Sequence, residues 1–142
     1  PQADVYDSHD YEQDPAKFKE RQKGLADGKP FVNSPDVPVS IPYRGQPYFV
    51  SEFGGIWWNP DAKPGDHSWG YGERPKSVED VYKRFEGLCN VLLEDPLMFG
   101  YCYTQLTDVF QEQNGVVRFD RRPKFDMDRL HKIQTRQAAI EK

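Results

Sequence analysis

The stretch PYFVSEFGG, residues 47–55, runs from an apolar body at Phe49 and Val50 to one carboxylate, Glu52, and then to two glycines. Read as a strand that leaves a core and turns at its end, it puts a carboxylate at the strand's carboxyl edge. Its neighbours in sequence decide what kind of sheet the strand belongs to.

Upstream, ADVYDSHDY (3–11) has a short strand-like start at Val5 and Tyr6 and turns polar around His9 and Asp10. A helix follows, with Asp14 as cap, Pro15 in its first turn, and Phe18 and Leu25 seven residues apart on one side. Residues 28–47 hold Pro30, Pro35, Pro38, Pro42 and Pro47, which predicts an extended, turning connection and no long helix. Downstream, a tryptophan-rich loop from Gly54 to Lys76 leads to Ser77 and Asp80, a capping-box spacing. Val78, Val81, Tyr82, Phe85, Leu88, Cys89, Leu92 and Leu93 then keep to one helical face until Asp95-Pro96. LMFGYCYTQLTDV (97–109) predicts a third strand, apolar first and polar at Gln105, Thr107 and Asp108. Asn114-Gly115 marks a loop, DRRPK (120–124) a basic turn, and a last helix is predicted from about Phe125 with Leu130, Ile133 and Ile140 as its apolar stripe.

Three strand–helix units in succession predict a parallel sheet, because parallel neighbours need a crossover and a helix supplies it. In such α/β folds the chemistry gathers at the carboxyl ends of the strands. His9, Asp10 and Tyr11, then Glu52, then Gln105 and Asp108 are therefore expected on one rim.

Composition narrows the function. Twenty-three acidic against 19 basic residues give a net charge of -4, which offers no electrostatic footing for nucleic acid or an anionic membrane. No apolar run reaches the roughly 20 residues a membrane-spanning helix needs, and a soluble protein is expected. The two cysteines, Cys89 and Cys102, sit in apolar periodic stretches and are expected as buried free thiols, so they leave the compartment open, a periplasmic or secreted parent being one option. His9 and His67 are too far apart to suggest a metal site, and no cofactor is expected. The basic group Arg118, Arg121, Arg122 and Lys124 reads as solvated surface. Trp57, Trp58, Trp69 and Tyr71 suit either stacking on sugar rings or pinning a long loop to the domain. The start at Pro1-Gln2, without methionine, leads us to expect a piece of a longer protein.

PYFVSEFGG, the tryptophan-bearing loop, the helix, FGYCYTQLTDV and FDRRPKFD, in that order, resemble the C-terminal part of the catalytic barrel of family 2 glycoside hydrolases, the group with β-galactosidases, β-glucuronidases and β-mannosidases. The resemblance spans nearly the whole chain and is strongest from Tyr48 to Asp126. It implies that residues 1–142 form one incomplete segment of a (β/α)8 (TIM) barrel, about strands six to eight with their helices. It also implies that Ser51-Glu52-Phe53-Gly54 carries the catalytic nucleophile of a retaining β-glycosidase, Glu52, with the glycines leaving room for a sugar. His9 or Tyr11 would orient that nucleophile, and Trp57, Trp58, Gln105 and Asp108 would touch substrate. Retaining enzymes use two carboxyl groups about 5 to 5.5 Å apart. The family's acid/base glutamate follows an asparagine, and no Asn-Glu pair occurs here. Where the family often has Trp-Asn after its last strand, this chain has Tyr103-Thr104-Gln105. The expected partners are a carbohydrate substrate and the remainder of the barrel. Open sheet edges and uncovered apolar inner faces also predict self-association. The alternative from another class is a non-catalytic carbohydrate-binding or interaction module built on the tryptophan loop.

Overall fold

The computed structural model describes residues 3–33 and 41–142, so Pro35 and Pro38 of the proline-rich connection lie outside the described residues. Strands and helices alternate: β1 (Tyr6–Asp10), α1 (Pro15–Gln22), β2 (Tyr48–Gly54), α2 (Val78–Leu93), β3 (Met98–Thr104) and α3 (Met127–Gln134). The strands form one parallel sheet in the order β1-β2-β3. This mixed α/β arrangement is compatible with part of a barrel.

Local chemistry sets the helix boundaries. The Asp14 carboxylate accepts from the backbone N–H groups of Ala16 and Lys17, and Pro15 takes the first helical position, where no N–H is missed. Leu25 falls beyond α1, in a 3-10 turn, Lys23–Asp27, that closes at Gly28. The hydroxyl of Ser77 accepts from the Asp80 N–H and donates to the Asp80 carboxylate, starting α2. Val81, Tyr82, Phe85, Leu88, Cys89, Leu92 and Leu93 make its buried face, whereas Val78, in the first turn, is exposed. Each fully buried side chain of this size contributes about 1.5–3 kcal/mol relative to exposure, so α2 dominates the core. Asp126 caps α3, which begins later than Phe125 and ends before Ile140; that isoleucine is exposed in a separate 3-10 turn, Ala139–Glu141.

The helices cover one face of the sheet. Tyr48, Val50 and Phe53 are buried there; Phe18 stacks on Phe53 at 6.2 Å, and Tyr101 and Tyr103 meet the Phe53 ring edge-on at 5.4 and 5.6 Å. The opposite face carries Asp7, His9, Phe49, Ser51, Glu52, Gly100, Cys102 and Thr104. The expectation of an apolar inner face is therefore corrected: this face is mainly polar, with the Phe49 ring lying across Gly100. Cys102 is exposed on it, while Cys89 is buried, so only one of the two thiols belongs to the core.

Alternation is broken once in β2, and the break decides where Glu52 goes. Ser8 pairs with Val50 but His9 pairs with Glu52, leaving Ser51 as an extra residue; against β3, Val50 pairs with Tyr101 and Phe53 with Tyr103. Without this bulge the two-residue period would turn Glu52 toward α2 and Phe53 toward the open face. With it, Phe53 is fully buried and Glu52 stands on the open face.

Candidate functional site at the carboxyl edge

Glu52 is held from the β1 side. The Tyr11 hydroxyl donates to Glu52 Oε2, and Nδ1 of His9 lies 3.3 Å from the same oxygen. No hydrogen bond or ion pair reaches Oε1 among the described residues. The Glu52 side chain is 42% exposed. Tyr11 Oη also lies 3.3 Å from Thr104 Oγ1 at the end of β3, which ties all three strand ends together. Burial, and then the hydrogen bond to Glu52, push the Tyr11 phenol well above its ordinary pKa, so it remains a proton donor across the neutral range. His9 in turn has its Nε2 3.9 Å from Asp7 Oδ2, which accepts from the Ser51 hydroxyl at 2.7 Å.

The backbone under this group is clamped by Gln13. Its side-chain amide donates to the carbonyls of Tyr11 and Gly54, and its Oε1 accepts from Arg84 at 3.3 Å. The glycines after Glu52 do not leave empty space. Gly54 and Gly55 have φ of +80° and +59°, and a Cβ on Gly54 would lie 2.3 Å from the Tyr103 ring. On Gly55 it would lie 2.4 Å from the Tyr71 ring and 3.2 Å from that of Tyr11. These glycines admit protein aromatic rings, and Tyr103 uses the approach to accept the Ile56 N–H at 3.1 Å.

The other sequence-predicted residues have partners other than the carboxylate. Asp10 is buried on the helix side, where Arg21 and Gln22 donate to its two oxygens at 2.8 and 2.9 Å, so it joins β1 to α1 and is absent from the rim. Asp108 accepts from Lys124 Nζ at 2.7 Å and from the Gly115 N–H at 2.9 Å. Lys124 is buried rather than solvated, and burial holds its pKa below the ordinary lysine value despite Asp108. This pair pins the loop after β3 and gives Asp108 a structural partner. The Gln105 amide donates to Asn114, a fully buried side chain. Trp57 donates its indole N–H to Ser68, and the Arg74 guanidinium lies 5.8 Å from the rings of both Trp57 and Trp58. No hydrogen bond or ion pair joins Trp57, Trp58, Gln105 or Asp108 to Glu52 among the described residues.

Sequence reasoning did not single out Gln13 or Thr104. Neither has a local signal: each matters through a partner more than 40 residues away, Gly54 for Gln13 and Tyr11 for Thr104. No group of three or more metal-ligating side chains is gathered among the described residues, and no helix there is long and apolar enough to cross a membrane.

No protein-family model matches the sequence, and no curated protein matches it. Solved structures do share its fold. An exo-β-agarase aligns with 93% of this chain at a TM-score of 0.62 and 17% identity, and a second agarase with 94% at 0.56 and 16%. Bacteroides uniformis β-glucuronidase 2, covalently bound to cyclophellitol-6-carboxylate aziridine, aligns with 92% at 0.54 and 23%. The chain spans only 16%, 18% and 15% of those three proteins. Its fold is thus that of a segment within much longer glycoside hydrolases.

Proposed function

We propose that the chain is a segment of a retaining β-glycosidase of the family 2 type, with Glu52 as the nucleophile. The observation that carries this reading is the asymmetry at Glu52: Tyr11 and His9 meet at Oε2, while no hydrogen bond or ion pair engages Oε1 among the described residues. A carboxylate fixed through one oxygen keeps the other aimed, which is the positioning an attack on an anomeric carbon needs. Attack would form a C–O bond between Oε1 and the anomeric carbon as the bond to the leaving oxygen breaks, and water would later release the sugar. Tyr11 and His9 serve as positioning residues for that carboxylate. The acid/base carboxyl would come from the remainder of the barrel, so this chain alone is expected to give no turnover of aryl β-glycosides. The carbohydrate substrate belongs to the same proposal.

Trapping tests it. An activated 2-deoxy-2-fluoro glycoside of galactose, glucose or mannose should leave its glycosyl group on Glu52, and Glu52→Gln should stay unlabelled. The competing picture, a binding module using Trp57 and Trp58, is weakened by Arg74, whose guanidinium sits against both rings. If that picture held, sugar affinity would fall on Trp57→Ala and be indifferent to Glu52→Gln. Self-association is proposed through β1 and β3, the outer strands of the sheet. Sedimentation velocity at rising concentration should show a dimer, and a strict monomer would count against it.

A further inference from the structure

We propose that Tyr71 is a positioning residue for the nucleophile: its ring, stacked on that of Tyr11, holds the Tyr11 hydroxyl on Glu52 and couples the tryptophan-rich loop to the site. The proposal rests on the reading of Glu52 given above. The two rings are nearly parallel, 6° apart, with centroids 3.5 Å from each other. Tyr11 lies beyond the end of β1, outside the sheet's hydrogen bonding, so its ring needs a wall to stay in one rotamer.

Tyr71 is itself fixed from several sides. Its backbone N–H donates to the Gly55 carbonyl at 2.9 Å, in an isolated bridge between Ile56 and Tyr71 that places the loop against the end of β2. Trp69 meets its ring edge-on at 5.9 Å. Gly55 leaves the space the two tyrosines occupy, since a methyl there would stand against both rings. Gly72, next to Tyr71, presses on Gln13, the residue that clamps the Tyr11 backbone: a Cβ on Gly72 would lie 2.4 Å from Gln13 Cγ. The loop thus grips Tyr11 by its ring through Tyr71 and by its backbone through Gln13.

The test is NMR of the full chain with 13Cζ-labelled tyrosine, which gives eight signals, that of Tyr11 identified by its loss in Tyr11→Phe. Tyr48, hydrogen-bonded to Gln22 on the helix side, serves as internal control. In Tyr71→Leu the Tyr11 signal should titrate toward the ordinary tyrosine midpoint of about 10 as its partner and shelter are lost, whereas in the wild type it should stay that of the protonated phenol as pH is raised to about 11. Tyr71→Phe, which keeps the ring, should restore the Tyr11 behaviour, and Gly55→Ala should reproduce the defect of Tyr71→Leu. An unmoved Tyr11 signal in Tyr71→Leu would overturn the proposal. So would equal damage from Tyr71→Phe, or a matching shift of Tyr48, which would mean general loosening. The readout needs no bound sugar, so failure to trap a glycosyl group on Glu52 would sink the catalytic reading and leave this result standing on its own.

Discussion

At the scale of single residues, the pair between Lys124 and Asp108 shows how a polar sequence signal can serve the scaffold. Both side chains are buried, and the salt bridge fixes the loop that follows β3. Removing one partner strands the other's charge in a dry place, so Asp108→Asn or Lys124→Met should each cost about 3 kcal/mol or more in denaturant unfolding. The double variant Asp108→Leu/Lys124→Met should recover most of that loss, because no charge is left unpaired. Additive losses would show that the pair is not coupled. Lys124 reads as surface in the sequence because its three basic neighbours, Arg118, Arg121 and Arg122, frame it. Only the folding back of residues 108–124 takes it inside. Glu52, by contrast, is legible as a candidate from its own stretch, since an apolar run, a carboxylate and two glycines lie within nine residues.

At the scale of elements, the order of strands and helices is legible because each signal is local: caps at Asp14 and Ser77, the helical spacing of Val81 to Leu93, the prolines between α1 and β2. The bulge at Ser51 is not, because it exists only in the pairing of β2 with both neighbours. It also separates structural from chemical roles along one strand, sending Phe53 to the core and Glu52 to the open face. Deleting Ser51, the extra residue, would restore strict alternation while keeping Val50 and Phe53 toward the helices and Glu52 on the open face. The expected result is a variant that still unfolds cooperatively and keeps its near-ultraviolet circular dichroism signal, and Glu52→Gln should unfold within about 1 kcal/mol of wild type. Loss of cooperative unfolding in the deletion variant would contradict this reading of the bulge.

At the scale of the whole molecule, the core is rich in protonated groups that burial protects. Burial pushes Cys89 up from 9.0 to about 12 and Tyr101 up from 10.0 to about 12, and raises Tyr48 and Tyr103 as well. The unfolded chain therefore releases these protons first. Their contribution to stability is fully present below about pH 9 and is lost as pH climbs toward 12. Lys124 works the other way: its folded value lies below 10.5, so between that value and 10.5 its contribution rises with pH. Five raised groups, Tyr11 included, outweigh one lowered one, and the urea midpoint should decline from about pH 9 upward; a midpoint that is flat or rises to pH 11 would contradict this.

The proposed role of Glu52 as a nucleophile rests on the open face, where β1, β2 and β3 deliver His9, Glu52 and Thr104 to one edge. The most direct test of that account is mass spectrometry of the chain after prolonged incubation with activated 2-deoxy-2-fluoro glycosides, followed by peptide mapping. The account predicts a mass gain of one glycosyl group, carried by the peptide that contains Glu52 and absent from Glu52→Gln. A label on another residue, a label that persists in Glu52→Gln, or no label with any of the three sugars would contradict it.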